Sequence, residues 1–231
     1  MNPGRTDLWQ WAYAHELPVR IGRGRGVTIA LLDDGVSRRV EPLRGATIVA
    51  RDFVRTGPSG GHGTMCAVAL VGRCEHYVGL VPDATLLAAR VRGPGQGTEP
   101  LQQALRWLLK ERPDVVCMPM GRGRSCPHVG ALLRRLRERG VDIVASAGNR
   151  SPDQMLYPAS SRYVDAVTAV DEHGEVASNC YRGGGAARLF AVDVPTWGLE
   201  GPTTFGRTSA AAVLAAGLRA SEVGMCLGAS G

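Results

Sequence analysis

Short apolar runs that can cross a sheet once, and are too short for a buried helix, constrain this chain more than any other feature. They are "GVTIALLDDG" (Gly26 to Gly35), "ATLLAARV" (Ala84 to Val91), "DVVCMPM" (Asp114 to Met120), "VDIVASAG" (Val141 to Gly148) and "YVDAVTAV" (Tyr163 to Val170). Continuous runs of this length, bounded by Gly, Pro or Asp, are the pattern of strands buried on both faces. Helical spacing separates several of them, over His62 to Val71, Glu99 to Glu111 and Val129 to Arg139, and an amphipathic opening helix is capped near Thr6 and Asp7. Strands alternating with helices predict an α/β fold with a mostly parallel sheet and helices on both faces. In such sheets ligands gather at the carboxyl ends of the strands, where the pattern puts Asp33, Met120 and Asn149. A length of 231 residues predicts one domain over 1–231, with enough core to need no disulfide staples.

Composition narrows the function classes. All but one of the 27 basic residues are arginine, Lys110 being the exception, and the net charge is +6. Many of these arginines fall in clusters such as "LLRRLRERG" (Leu132 to Gly140), where charge alternates with apolar positions at helical spacing. That is the pattern of a solvated helix face and argues against a nucleic-acid partner. The six cysteines form no CxxC pair and no Cys/His cluster at ligand spacing, so free thiols, no metal and no cofactor are expected. The N-terminal segment lacks the uninterrupted apolar core of a secretory signal, and no stretch is long and apolar enough for a bilayer. The expected setting is cytoplasmic and reducing, with no membrane partner.

Four short motifs carry the chemistry. "LLDDG" puts Asp33 at a strand end, "GGHGTMCA" puts His62 at a helix start, "ASAGNR" puts Asn149 just past a strand, and "GRTSAAA" puts Ser209 at a helix start. Taken singly, each has a structural explanation: a turn-capping Asp, a Gly-flanked structural His, an ordinary loop Asn, a helix N-cap Ser. Taken together, in the order Asp, His, Asn, Ser, they supply what a hydroxyl nucleophile needs. An imidazole must take its proton, a buried carboxylate must orient that imidazole, and fixed donors must face the oxyanion.

This order and these flanking residues resemble the subtilisin-like serine peptidase family. "GLVPDATLLAARV" (Gly79 to Val91) is similar to that family's "GVAPxAxLxAxKV" strand, "MPMG" (Met118 to Gly121) stands where "MSLG" is expected, and "YPAS" (Tyr157 to Ser160) matches its Tyr-Pro loop. The resemblance runs from about Trp9 to Leu218 and implies a three-layer subtilisin-like fold, here truncated at the C-terminus. It implies Asp33, His62 and Ser209 as the triad and Asn149, with the Ser209 N–H, as the oxyanion hole. It also implies a peptide or protein substrate added as a strand between "VRGPGQG" (Val91 to Gly97) and "CMPMG" (Cys117 to Gly121), which brings in Gly93, Gly95, Met118, Met120 and Gly121. Ala147, Gly148 and Leu156 would wall the primary specificity pocket, Leu156 as a closed or apolar floor. Cys66, one turn after His62, reads as a small buried hydrophobe.

The chain departs from the family pattern at Arg207, where glycine is expected before the Thr-Ser pair. If the backbone there is left-handed, a non-glycine residue stores strain of about 1–3 kcal/mol. The serine helix also carries Ala212 and Val213 where the family has a proline, a change that helix propensity tolerates. The chain ends soon after Ser209, leaving room for a partner subunit or a second copy to cover exposed core. The connection "VGRCEHYVGL" has little room for the family's calcium loop, so no required metal is expected, and no pro-segment is expected before the domain. The leading expectation is an intracellular endopeptidase that cuts a peptide or protein precursor. The alternatives are a catalytically weak or inactive peptide-binding scaffold and a peptide macrocyclase.

Overall fold

The computed structural model describes residues 5–17, 22–55, 57, 60–95 and 97–228. Gln96, inside the expected peptide-binding segment, and the chain's first and last few residues lie outside them. In chain order the elements are β1 (Thr6–Asp7), α1 (Leu8–Ala14), β2 (Thr28–Asp33), β3 (Ile48–Asp52), α2 (Gly61–Val71), β4 (Tyr77–Val78), β5 (Thr85–Arg90) and α3 (Glu99–Glu111). They continue with β6 (Val115–Met118), α4 (Pro127–Arg137), β7 (Asp142–Ser146), β8 (Asp165–Val170), β9 (Ala186–Phe190), β10 (Val194–Gly198), β11 (Gly201–Phe205) and α5 (Arg207–Gly228). A short 3-10 turn spans Glu41–Leu43.

Each apolar run becomes a central strand. The seven-stranded sheet has the order β3-β5-β2-β6-β7-β8-β9, and every neighbouring pair in it is parallel. The period of two sorts side chains between two cores. From β2, Ile29 and Leu31 pack with α2 and α5, whereas Ala30 and Leu32 pack with α3 and α4. Asp33 shares the parity of Ile29 and Leu31, so the pleat delivers its carboxylate to the face on which α2 lies. The winding reverses around β2, which lies between β5 and β6, so the carboxyl ends of these strands form the crevice where such sheets bind ligands.

The helices follow their signals closely. The Asp7 side chain accepts from Trp9 N at 2.9 Å and starts α1, α3 spans the expected residues, and Pro127 opens α4. The small residues of α5, among them Ala210, Ala211, Ala212 and Ala216, are fully buried, which lets the helix lie against β6, β7 and β8. The sequence reading missed β1, β3, β4 and β9–β11. β3 is an edge strand with four exposed residues, and the β10–β11 hairpin contains Pro195 and Pro202, which no central strand tolerates. Among the described residues the exposed large hydrophobics are Tyr13 on α1, Val49 on β3 and Leu199 in the turn between β10 and β11. No helix among them is long and apolar enough to cross a membrane.

Candidate active site

Asp33 ends β2 and is 1% exposed. A buried carboxylate must be paired, and this one is paired three ways. His62 Nδ1 lies 2.6 Å from its Oδ2, while Oδ1 accepts from Asp34 N at 2.8 Å and from Arg92 Nη1 at 3.2 Å. His62 reaches it from the first turn of α2. That close approach depends on Gly63, where a Cβ would come within 2.3 Å of the Gly35 carbonyl. Asp34 accepts from Gly63 N at 2.7 Å, so it caps α2 and shapes the turn. Burial works to lower the His62 pKa, but the hydrogen bond and charge of Asp33 overcome it, and the imidazole titrates above its ordinary value.

The Cys66 thiol is fully buried, 3.9 Å from His62 Nδ1, and burial pushes its pKa well up. Asp33, His62 and Cys66 offer donor atoms within 4.8 Å of one another, a set that could hold a soft cation. An ion there would compete directly with the Asp33–His62 hydrogen bond.

Ser209 and Asn149 form the second half. Asn149 follows β7, and its Oδ1 accepts from Thr208 Oγ1 at 2.8 Å, from Thr208 N at 3.3 Å and from the buried Cys180 thiol at 3.3 Å. Three donors on one atom fix which end of the amide is oxygen and leave its two N–H groups to donate elsewhere. Ser209 lies one residue on, in the first turn of α5. Its hydroxyl donates to the Pro119 carbonyl at 3.0 Å, and among the described residues no hydrogen bond joins it to His62. Arg207 has φ 63, the left-handed conformation that favours glycine, and its N–H donates to the Ala191 carbonyl at 2.9 Å. The two halves meet at Cys117, whose thiol donates to the Ala212 carbonyl of α5 and whose pKa burial and the nearby Asp33 charge raise.

The Subtilase family profile matches residues 24–221. The chain belongs to the subtilase family. It is 29% identical over 163 residues to the thermostable alkaline protease of Halalkalibacterium halodurans, covering 67% of this chain and 44% of that one. It is 27% identical over 177 residues to the intracellular serine protease of Paenibacillus polymyxa, covering 68% and 54%. The match thus spans about half the length of these relatives. Among solved structures, the self-cleaved protease domain of PatA shares the fold with a TM-score of 0.81 at 20% identity, over 91% of this chain and 84% of that one. The prenylagaramide maturation protease PagA gives 0.79 at 18%, over 98% and 83%.

The remaining expected positions of this subtilase divide by burial. Gly93, Met120 and Gly121 line one open cleft of about 520 Å³, together with Arg92, Arg122 and Asp34. Gly95 lies in the exposed turn beyond Gly93 with φ 68. Met118 does not line this cleft: its side chain is fully buried in the α3 and α4 core, because its strand parity is that of Val116. Ala147 is also fully buried and contributes its carbonyl, which accepts from Leu156 N at 2.8 Å. Leu156 occupies the space between two glycines. A Cβ on Gly121 would come 2.6 Å from Leu156 Cβ, and one on Gly148, at φ 114, would come 2.6 Å from Leu156 Cγ.

Sequence reasoning missed Arg92, Thr208 and Cys180 as site residues. Arg92 stands in the quoted segment after β5, and only the fold shows that it reaches the buried carboxylate. Thr208 carried a signal, adjacency to Ser209. Cys180 lies 31 residues from Asn149 and carried none.

Proposed function

We propose that this subtilase is an intracellular serine endopeptidase that cleaves a peptide or protein precursor through a Ser209 acyl-enzyme. The observation that carries the reading is the pairing of a buried Asp33–His62 dyad with an Asn149 amide braced beside Ser209. His62, neutral and held by Asp33 in the tautomer that leaves Nε2 free, takes the proton of the Ser209 hydroxyl once that hydroxyl turns from the Pro119 carbonyl. Ser209 Oγ bonds to the substrate carbonyl carbon. The oxyanion so formed accepts from the Asn149 amide and the Ser209 N–H at the positive end of α5. The C–N bond then breaks as His62 returns the proton to the leaving amine, and water repeats the sequence on the acyl-enzyme.

The peptide lies extended between the segment with Gly93 and Gly95 and the segment with Met120 and Gly121. Leu156, filling the space above Gly121 and Gly148, leaves the primary pocket shallow and suited to a small side chain before the cleaved bond. The free thiols of all six cysteines and the relative named as an intracellular protease support an intracellular setting. The test is hydrolysis of fluorogenic peptides that differ only in the residue before the cleaved bond. Wild type should favour Gly, Ala or Ser there, Leu156→Gly should gain activity on Leu or Phe, and Ser209→Ala should lose all turnover. Unchanged turnover by Ser209→Ala contradicts the mechanism, and a wild-type preference for Phe contradicts the shallow pocket.

A second reading is a peptide-binding scaffold, favoured by the left-handed Arg207 and by the Ser209 hydroxyl resting on a backbone carbonyl. Peptide binding that survives Ser209→Ala, with no wild-type turnover, selects it.

A further inference from the structure

The cleft between Arg92 and Arg122 has a charge distribution that the hydrolytic chemistry does not require. Its two guanidinium groups come from opposite banks, Arg92 from the segment after β5 and Arg122 from the segment after β6. These are the two segments between which the proposed peptide lies. Each arginine is tethered from behind. Arg92 reaches Asp33, and Arg122 donates through Nη1 to the Gly97 carbonyl while its backbone pairs with Tyr157 through N–H···O at 2.7 Å.

Two carboxylates stand beside these arginines, and both are engaged by other partners as well. Asp34 lines the cleft but is turned to the first turn of α2, accepting from Gly63 N. Asp33 is shared between Arg92 and His62, and it is 1% exposed while Arg92 is 45% exposed. Burial, and then the positive charge of Arg92, push the Arg122 guanidinium below its ordinary pKa. Like charges held together at a partly desolvated cleft destabilise it when empty, and an anion between them removes the penalty.

We propose that this cleft selects peptides carrying Asp or Glu on the acyl side of the cleaved bond, with Arg92 and Arg122 as the specificity-determining residues. The proposal rests on the peptidase reading in one respect: the peptide must occupy the cleft. A guanidinium fork takes a carboxylate in a planar, two-point contact, which a glutamine of the same shape cannot repay and a lysine opposes.

The experiment uses peptides with a fluorogenic amide as leaving group, so that only the acyl side is occupied, scanning Glu against Gln at each position. Wild type should turn over the Glu peptide with kcat/KM about tenfold higher or more at one position, mainly through KM, with the ratio shrinking as salt rises. Arg92→Gln and Arg122→Gln should each pull the ratio towards one, Arg122→Lys should restore part of it, and Arg122→Glu should move preference to a Lys peptide. A wild-type ratio near one at every position overturns the proposal, as does a ratio that both Gln variants leave intact. If wild type cuts none of the peptides, the peptidase reading is what fails. Calorimetric binding of the Glu and Gln peptides to Ser209→Ala then decides the acid selection separately, and equal affinities overturn it.

Discussion

The two halves of the site are built in opposite ways. The Asp33–His62 half is assembled in advance by burial: a carboxylate sealed at a strand end, an imidazole 2.6 Å away, and a glycine that lets the helix come close. The Ser209–Asn149 half is braced but not closed. Its amide is fixed by three donors, its hydroxyl rests on a backbone carbonyl, and its entry residue is a strained arginine. Pairing a charge in a dry interior leaves the first half one favourable arrangement, whereas the proposed mechanism requires the Ser209 hydroxyl to turn from the Pro119 carbonyl.

The largest effects should come from the assembled half. Asp33→Asn should lower kcat by about 10⁴-fold while His62→Ala approaches the roughly millionfold loss established for subtilisin itself; a tenfold effect of either would mean that the dyad is structural. Because His62 must be neutral to accept the proton and its pKa is raised, the acid limb of kcat/KM should fall above the ordinary imidazole value. The linkage has the matching sign. A raised folded pKa stabilises the fold below the unfolded pKa, and this contribution is lost as pH rises through the folded one. His62→Gln should therefore lose more stability against denaturant in mildly acidic buffer than in alkaline buffer, and an equal loss at both would contradict the raised pKa.

Asn149→Ala should cost about 10²–10³-fold in kcat with KM little changed, the size known for subtilisin's own oxyanion asparagine. An effect confined to KM would assign Asn149 to ground-state binding. Cys180→Ala removes one of three braces and should reduce kcat only severalfold, about what one weak neutral hydrogen bond contributes. Arg207→Gly should be smallest. Relief of the left-handed strain, of order 1 kcal/mol, should raise Tm by about 2–4 °C, and a fall in Tm would show that Arg207 is held by contacts worth more than the strain.

Legibility in the sequence did not follow that division. Asp33, His62, Asn149 and Ser209 could be proposed as a set because each sits in a short motif, and the structure pairs Asp33 with His62 and sets Asn149 against Thr208, next to Ser209. The central strands were visible because both of their faces are buried. Arg92 was not, since an arginine after a strand looks the same whether it points to water or to a buried carboxylate. The string "MPMG" does not show that strand parity sends the Met118 side chain into the α3 and α4 core. β9–β11 escaped because few of their residues are buried and proline interrupts β10 and β11, so no period stands out.

Labelling by a fluorophosphonate probe, with mass mapping of the modified residue, tests the central claim most directly. Folded wild type should be labelled at Ser209 alone, His62→Ala and Asp33→Asn far more slowly, and Ser209→Ala not at all. A folded protein that stays unmodified, or carries the label at another residue, would contradict it.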